Sequence, residues 1–521
     1  MNWIKYISIG MIGLLLSSCY KDLGNYDYHE INKVLFDGFP TEKQYKFKGV
    51  DSLKVYPKIS GTLYDDLDRY DFKWEAVVKQ GTTAEGKTTY PLDSNTVNLE
   101  YFVQLPEQEY SVYLKVKDRE TNVTYRQAFD MRVSTALDEG WMILSEQNEG
   151  SRLDMISLSG EDEMVVRDIW NGSPLSTWKG PKYLAVYADM MVSASEQPVY
   201  FLSEDGAIKL ESSNLGYAED NALNYEFAMS YPDLKPLRIA GTYSNMWRIC
   251  VTSEGVFAKN DMTFGALYGM PINKIEGEED YFEVAPAIGL TPYPYAYNPA
   301  ILFYDVTNRR FVQMNTNLAG MRLPTATETA FPFQTGKEFV YMGGTLNNTT
   351  GMIFAILKDD ANQYWLHGFN ILGIGETIEQ APDYYYQIDA PEIEKATCFA
   401  IHPISYFLFY AVENKIYQYD MVSKKCRQLP VVFETGERID FPEDEISLLK
   451  FNTFIYGDFS KPAGSADMQY RLIVGSKGDG ELDGVVRMLD IPTLMDEKPA
   501  TVYREYSGFG KVVDVTYRER Q

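Results

Sequence analysis

Short apolar strands separated by polar turns dominate the chain from Trp141 onward. The recurring unit is an apolar strand, a turn and a second apolar strand, as where 199–202 turns at 204–206 into 207–210. Seven such hairpins start about 50 to 65 residues apart, and this spacing is typical of a β-propeller. The uninterrupted apolar runs fit strands buried on both faces between blades. We therefore predict seven blades over 136–521; six or eight blades, or one or two β-sandwiches, are the alternatives.

Residues 39–135 alternate apolar and polar side chains and predict a separate, smaller β-domain. Segment 110–118 and, after a turn, segment 124–133 have the period of two that a strand requires. A tryptophan, Trp74, lies on an earlier strand, and this arrangement fits an immunoglobulin-like sandwich. Long helical periodicity is missing, and aromatic residues make up 14% of the chain, so we predict an all-β protein.

The N-terminus predicts a lipid anchor. An apolar run from Tyr6 to Leu16 suits the core of a signal peptide spanning 1–18. The sequence Leu-Ser-Ser-Cys at 16–19 matches the lipobox of bacterial lipoproteins, with Cys19 as the residue that takes the acyl chains. An ordinary secretory signal that happens to contain a cysteine is the alternative. Residues 19–38 are polar and are predicted to tether the folded domains.

The charge of the chain limits its possible partners, and its cysteine content limits the disulfides that it can form. The chain carries 48 Lys and Arg against 74 Asp and Glu, a net charge of −26, so it would repel nucleic acid. Three cysteines remain besides Cys19, an odd number, so disulfides are not expected to hold the fold together. After residue 18, the sequence has no apolar stretch long enough to cross a bilayer as a helix.

Catalytic and metal-binding patterns are weak in this sequence. The three histidines, His29, His367 and His402, lack the spacing of metal ligands, and no nucleophile elbow occurs. The acidic, Gly-rich segment 477–484 lacks the spacing of a calcium loop and is interpreted as a turn. We therefore expect no cofactor and no enzymatic activity.

Aromatic side chains in loop-like segments are the candidate ligand contacts, because exposed rings stack on sugars or clasp apolar peptide groups. The alternative for each ring is packing between blades. The first group lies within a proline-rich segment that precedes a blade strand, the second is predicted in a link between two hairpins, and the third lies in a loop-like segment. In that order the candidates are Tyr293, Tyr295 and Tyr297; Tyr384, Tyr385 and Tyr386; and Trp170 and Trp178.

The lipobox, the stretch CYKDLGNYDY at 19–28 and the domain order together resemble the PKD-like family lipoproteins of gut Bacteroidetes. The charged Lys21-Asp22 pair behind the cysteine resembles the surface-export signal of that phylum. The resemblance implies an outer-membrane lipoprotein facing outward, encoded beside a starch-utilisation-type TonB-dependent transporter and its lidding lipoprotein. Its implied role is to capture a peptide or glycan nutrient, or to assemble with the transporter. The alternative is a surface propeller enzyme, either a polysaccharide lyase or a glycoside hydrolase.

Overall fold

The structure is a computed structural model, and the chain divides after Val133 into two compact units. It describes residues 32–519 apart from short gaps at 65, 84–85, 93, 160–162, 188–196, 233, 243–245, 264, 292–299, 327–328, 347–350, 372–377, 440–444, 453–465 and 497.

The described residues of the first unit form nine strands. They are β1 (Val34–Asp37), β2 (Gln44–Phe47), β3 (Ser52–Val55), β4 (Lys58–Gly61), β5 (Tyr70–Val78), β6 (Thr89–Leu92), β7 (Leu99–Phe102), β8 (Gln108–Asp118) and β9 (Thr124–Ser134). One sheet has the order β2-β9-β8-β5-β6, and the pairs β1-β4 and β3-β7 complete the unit. Strands β8 and β9 pair in antiparallel register, as the alternating pattern predicted.

Trp74 lies at the centre of the first unit. Its side chain is fully buried, and the indole Nε1–H donates to the carbonyl of Thr96 at 3.2 Å. Val34 of β1 packs into the same core, and the Asn32 side-chain amide donates to the Tyr70 hydroxyl at 2.6 Å. The predicted tether of 19–38 was therefore too long, because β1 belongs to the folded unit.

The second unit forms seven sheets in its described residues, and we call each sheet a blade. Blade 1 holds β10 (Gly140–Gln147), β11 (Gly150–Ser157), β12 (Met164–Val166) and β36 (Lys511–Arg518). Blade 2 holds β13 (Tyr183–Val186), β14 (Val199–Leu202) and β15 (Ala207–Lys209). Blade 3 holds β16 (Pro236–Gly241), β17 (Trp247–Thr252) and β18 (Gly255–Asn260). Blade 4 holds β19 (Leu302–Asp305), β20 (Arg310–Met314) and β21 (Met321–Arg322).

The remaining three blades have four or more strands. Blade 5 holds β22 (Glu338–Thr345), β23 (Met352–Lys358), β24 (Tyr364–Ile371) and β25 (Ile378–Gln387). Blade 6 holds β26 (Cys398–Ile401), β27 (Phe407–Val412), β28 (Lys415–Asp420) and β29 (Lys425–Gln428). Blade 7 holds β30 (Val431–Val432), β31 (Arg438–Ile439), β32 (Glu445–Lys450), β33 (Leu472–Lys477), β34 (Gly484–Asp490) and β35 (Ala500–Phe509).

A separate hydrophobic core fills each of the seven interfaces between neighbouring blades. Strand β10 shows how the side chains of one apolar strand contribute to two of these cores. Trp141 and Ile143 pack towards blade 7, whereas Met142 and Leu144 pack towards blade 2. Because alternate side chains of a strand point to opposite faces, a strand between two blades must be apolar throughout. The predicted seven-bladed propeller is confirmed.

The two ends of the second unit meet in blade 1. Strand β36, the last strand, pairs antiparallel with β10, the first, and so closes the ring of blades. Strand β36 is also the innermost strand of blade 1, since it packs against β13 of blade 2 and β32 of blade 7. Blade 4 departs from the pattern, because its inner edge is a segment near Gly289 that makes isolated bridges to β19.

Helical structure is limited to single turns. The described residues form 3₁₀ turns at Leu67–Arg69, Pro174–Thr177, Glu219–Asn221, Leu223–Glu226, Ile393–Lys395 and Ala466–Tyr470. Within the described ranges, no helix has the length and apolar character needed to cross a membrane. The all-β prediction is confirmed.

Candidate ligand site

Inner strands of different blades bring their side chains together at the axis of the ring. The Tyr183 ring of blade 2 lies 3.9 Å from the guanidinium carbon of Arg238 in blade 3 and 5.5 Å from the ammonium of Lys450 in blade 7. Blade 1 separates blades 7 and 2, so a contact between Lys450 and Tyr183 requires both to lie near the axis. We define the axial cluster by six residues on six blades: Tyr183, Arg238, Tyr341, Phe399, Lys450 and Asp514.

Lys450 is held by its neighbours in blade 1. Its ammonium donates to Asp514 Oδ1 and to the Thr516 hydroxyl, each at 2.7 Å. The second oxygen of Asp514 accepts from the backbone N–H of Leu184 at 2.9 Å. The charge of Lys450 is therefore neutralised by a well-buried carboxylate, and the pair links blades 7, 1 and 2.

Arg238 differs from Lys450 because no described residue offers a counter-charge to it. Among the described residues, the guanidinium makes no ion pair and no hydrogen bond, and its side chain is half-buried. The face of Tyr183 accounts for its position, because an arginine stacks on an aromatic ring through its delocalised cation. This arrangement leaves the five N–H donors of the guanidinium without a described acceptor.

Tyr341 and Phe399 supply an aromatic side to the axial cluster. Their ring centroids are 5.7 Å apart with an interplanar angle of 32°. Burial raises the pKa of the Tyr341 hydroxyl to about 12, and the charge of Arg238 partly opposes that rise. The hydroxyl therefore keeps its proton at neutral pH and remains a possible hydrogen-bond donor. The cluster thus combines a cation without a described counter-ion, a neutral donor and an apolar surface.

A second charged cluster lies between blades 2 and 3, and its cations, unlike Arg238, form ion pairs. Arg248 is fully buried and pairs with Asp261 at 2.7 Å, while Lys259 pairs with Glu226 at 2.8 Å. The Tyr200 hydroxyl also donates to Glu226 at 2.5 Å. Each of these charges meets an opposite charge inside a packed core, so this cluster stabilises the interface between blades.

The two tryptophans predicted as ligand contacts lie against the core between blades 1 and 2. Trp170 is fully buried, and its indole N–H donates to the carbonyl of Leu215 at 2.8 Å. That burial leaves no face of the indole for a ligand and argues against the predicted role. Trp178 is half-buried and stacks on Phe201 at a centroid distance of 5.7 Å, so one face of its ring is already occupied.

The tyrosines at 384–386 lie on strand β25, the outer strand of blade 5, and not in a link between hairpins. Tyr384 stacks on Tyr406 at 5.4 Å, and Tyr385 stacks on Trp365 at 5.6 Å. The Tyr386 hydroxyl donates to the carbonyl of Met421 at 2.6 Å. All three are half-buried, and their contacts are those of packing within and between blades.

The remaining predicted site residues lie outside the described residues. These are the lipidation residue Cys19 and the tyrosines Tyr293, Tyr295 and Tyr297. Their roles stay predictions.

The propeller contains two histidines, His367 and His402, and imidazole is the side chain best suited to proton transfer near neutral pH. His367 is 1% exposed, so its imidazole is shielded from solvent. Burial lowers its pKa to about 3 and that of His402 to about 4, so both are neutral at pH 7. Within the described ranges, no three His, Cys, Asp or Glu side chains are placed to share a metal ion.

Sequence reasoning missed the axial cluster. Five of its six members lie on the strand directly before a predicted hairpin; Arg238, for example, precedes the hairpin that starts at Trp247. Many positions of these inner strands are only partly buried, so the strands lack the apolar runs that made the hairpins visible. Comparing the polar positions ahead of each hairpin would have indicated them.

Comparison with known proteins agrees with the N-terminal resemblance. A sequence model of the PKD-like family matches residues 19–176, which is less than a third of the chain. The match covers the described part of the first unit and continues through β12 of blade 1. No curated protein matches the sequence.

Several solved structures are distantly similar. A quinonprotein alcohol dehydrogenase-like protein from Bacteroides thetaiotaomicron aligns over 94% of this chain and 99% of its own, at 10% identity and a TM-score of 0.39. A periplasmic gluconolactonase from Pseudomonas aeruginosa aligns over 73% and 98%, at 12% identity and a TM-score of 0.38. A DUF4784 family protein from Bacteroides caccae aligns over 76% and 95%, at 10% identity and a TM-score of 0.27. Similarities at these TM-scores are too distant to assign a function.

Proposed function

We propose that this protein is a non-catalytic lipoprotein of the outer-membrane surface that captures a nutrient at the axis of its propeller. Cys19 anchors it, and it works beside a TonB-dependent transporter and that transporter's lidding lipoprotein. The observation that carries the proposal is the axial cluster, in which Arg238 offers hydrogen-bond donors without a described acceptor beside aromatic rings. Polar groups of this kind, placed together in a largely apolar setting, are what a small-molecule site requires.

The chemistry of the axial cluster favours binding over turnover. A glycoside hydrolase needs a pair of carboxylates, one on each side of the scissile bond. The axial cluster as defined contains one carboxylate, that of Asp514, and it is paired with Lys450. His367 and His402 are buried and neutral, so neither is suited to shuttle protons near neutral pH. Lipid chains on Cys19 would hold the site at the membrane, where a captured ligand can pass to a transporter.

The proposal is tested in the host strain with the gene deleted, restored, or restored as Cys19→Ala. We expect deletion to slow growth on either a peptide or a glycan source at limiting concentration, and Cys19→Ala to fail to restore it. Affinity purification from detergent-solubilised outer membranes should retrieve a TonB-dependent transporter. Normal growth on every source, together with no retrieved transporter, would contradict the proposal.

A further inference from the structure

We propose that Arg238 forms a carboxylate-binding subsite at the propeller axis; this inference rests on the proposed capture function. The two cations that approach the Tyr183 ring differ in whether a carboxylate neutralises their charge. Lys450 is neutralised by Asp514, while Arg238 has no ion pair or hydrogen bond among the described residues. Among the described residues, the axial cluster therefore lacks a negative charge opposite Arg238.

The guanidinium of Arg238 is well suited to a carboxylate. Its planar fork donates two parallel hydrogen bonds to the two oxygens of one carboxylate, which a lysine cannot do. Contact with the Tyr183 face, at 3.9 Å, restrains the side chain before a ligand arrives. A restrained donor loses less conformational entropy on binding, so more of the interaction energy appears as affinity.

Charge also limits the class of ligand. The chain has a net charge of −26, so a multiply charged anion is repelled by the rest of the protein. A single carboxylate matches the charge of Arg238, which no described residue compensates. The neighbouring Tyr341 hydroxyl stays protonated, since burial raises its pKa to about 12, and it can donate to a neutral oxygen of the same ligand.

Two kinds of nutrient present such a group: a uronic acid of a glycan and the C-terminal carboxylate of a short peptide. The probes that separate them each carry one carboxylate or none: galacturonic acid against its methyl ester, and N-acetyl-alanyl-alanine against its C-terminal amide. Calorimetric titration of the full-length lipoprotein in detergent should show that one acid binds roughly 10- to 100-fold more tightly than its neutral partner. The pair that shows this preference identifies the source of the carboxylate.

Arg238→Gln should abolish the preference for the acid while leaving the melting temperature unchanged. The matched control is Arg504→Gln, because Arg504 also lies over a tyrosine, Tyr503 at 4.5 Å, but on β35 near the outside of blade 7. That variant should keep the full preference. Arg238→Lys retains the charge without the fork, and we expect an intermediate preference; it also provides a second variant should Arg238→Gln fold poorly.

Equal binding of acid and neutral probes by the wild-type protein, or an undiminished preference in Arg238→Gln, would overturn the carboxylate subsite. If no probe binds at all, the subsite is likewise overturned. The capture function is judged separately, by the growth defect and the retrieved transporter, so it can stand when the subsite fails.

Discussion

The ring of Trp141, on the first strand of the propeller, meets the ring of Tyr517, on the last strand, edge to face at a centroid distance of 5.0 Å. Trp141 is 1% exposed and Tyr517 is 3% exposed. This contact lies where β10 and β36 pair, so it joins the two ends of the second unit. Closure of the ring therefore depends on residues that are far apart in the sequence.

Trp141→Ala should destabilise the second unit by about 3 to 5 kcal/mol, because it removes a large buried ring and leaves a cavity. Urea unfolding of the full chain measures the change. The matched control is Leu494→Ala, at a side chain that is 70% exposed, and it should cost less than about 0.5 kcal/mol. Equal effects of the two substitutions would mean that the Trp141 contact does not support ring closure.

The stability of the propeller should fall as the pH drops below about 6.5, the ordinary pKa of histidine. Burial lowers the pKa of His367 to about 3 and that of His402 to about 4 in the folded state. The unfolded chain therefore binds more protons below pH 6.5, and unfolding becomes easier. Each histidine should cost about 2 kcal/mol of stability between about pH 7.5 and about pH 5.

His367→Phe tests this linkage. A phenyl ring suits the site, because Phe331 and Tyr385 already surround the imidazole at centroid distances of 5.0 and 5.2 Å. Urea unfolding of this variant at the two pH values should show a loss that is smaller by about 2 kcal/mol than in the wild type. An unchanged loss would show that His367 is not the group that takes up the proton.

Cys19→Ala should prevent lipidation and release the protein from the membrane. The acyl chains hold a lipoprotein through burial of about 0.8 kcal/mol per CH₂, and the substitution removes the thiol to which they would be attached. Partition into Triton X-114 measures the change, and Ser17→Ala, which keeps a small residue in the lipobox, is the control. Normal processing and detergent partition of Cys19→Ala would contradict the lipoprotein prediction.

Replacing Tyr293, Tyr295 and Tyr297 together by alanine should weaken ligand capture and leave the melting temperature nearly unchanged. Ring contacts at interfaces are each worth on the order of 1 to 3 kcal/mol, so the loss of affinity should be large. Calorimetry and thermal unfolding of the same sample separate the two effects. A sharp fall in melting temperature with normal binding would assign these rings to packing instead.

Periodicity in the sequence was sufficient to predict the fold. Segments such as 247–251 and 256–258 are apolar apart from Arg248, because they form β17 and β18, which are buried between blades. The pairing of β10 with β36 could not be predicted in the same way. These two strands lie at opposite ends of the second unit, so no feature of the sequence around either strand indicates its partner.

The candidate site was less predictable than the fold. Aromatic residues such as Trp170 suggested ligand contacts, but composition does not distinguish a ring that packs in a core from one that faces a ligand. Arg238 and Lys450 both approach the Tyr183 ring only because the ring of blades closes, and Arg238 matters because no described group neutralises its charge. Proximity of this kind follows from the tertiary structure and leaves no motif in the sequence.

Capture without turnover at the propeller axis is tested most directly by mixing the protein with equimolar pools of peptides and oligosaccharides. The bound and free fractions are then analysed by mass spectrometry. We expect bound molecules to be recovered chemically unchanged after denaturation. Retention should be lost in Arg238→Gln and kept in Arg504→Gln. Shortened products that accumulate with time, or equal retention by Arg238→Gln and the wild type, would contradict capture without turnover at the propeller axis.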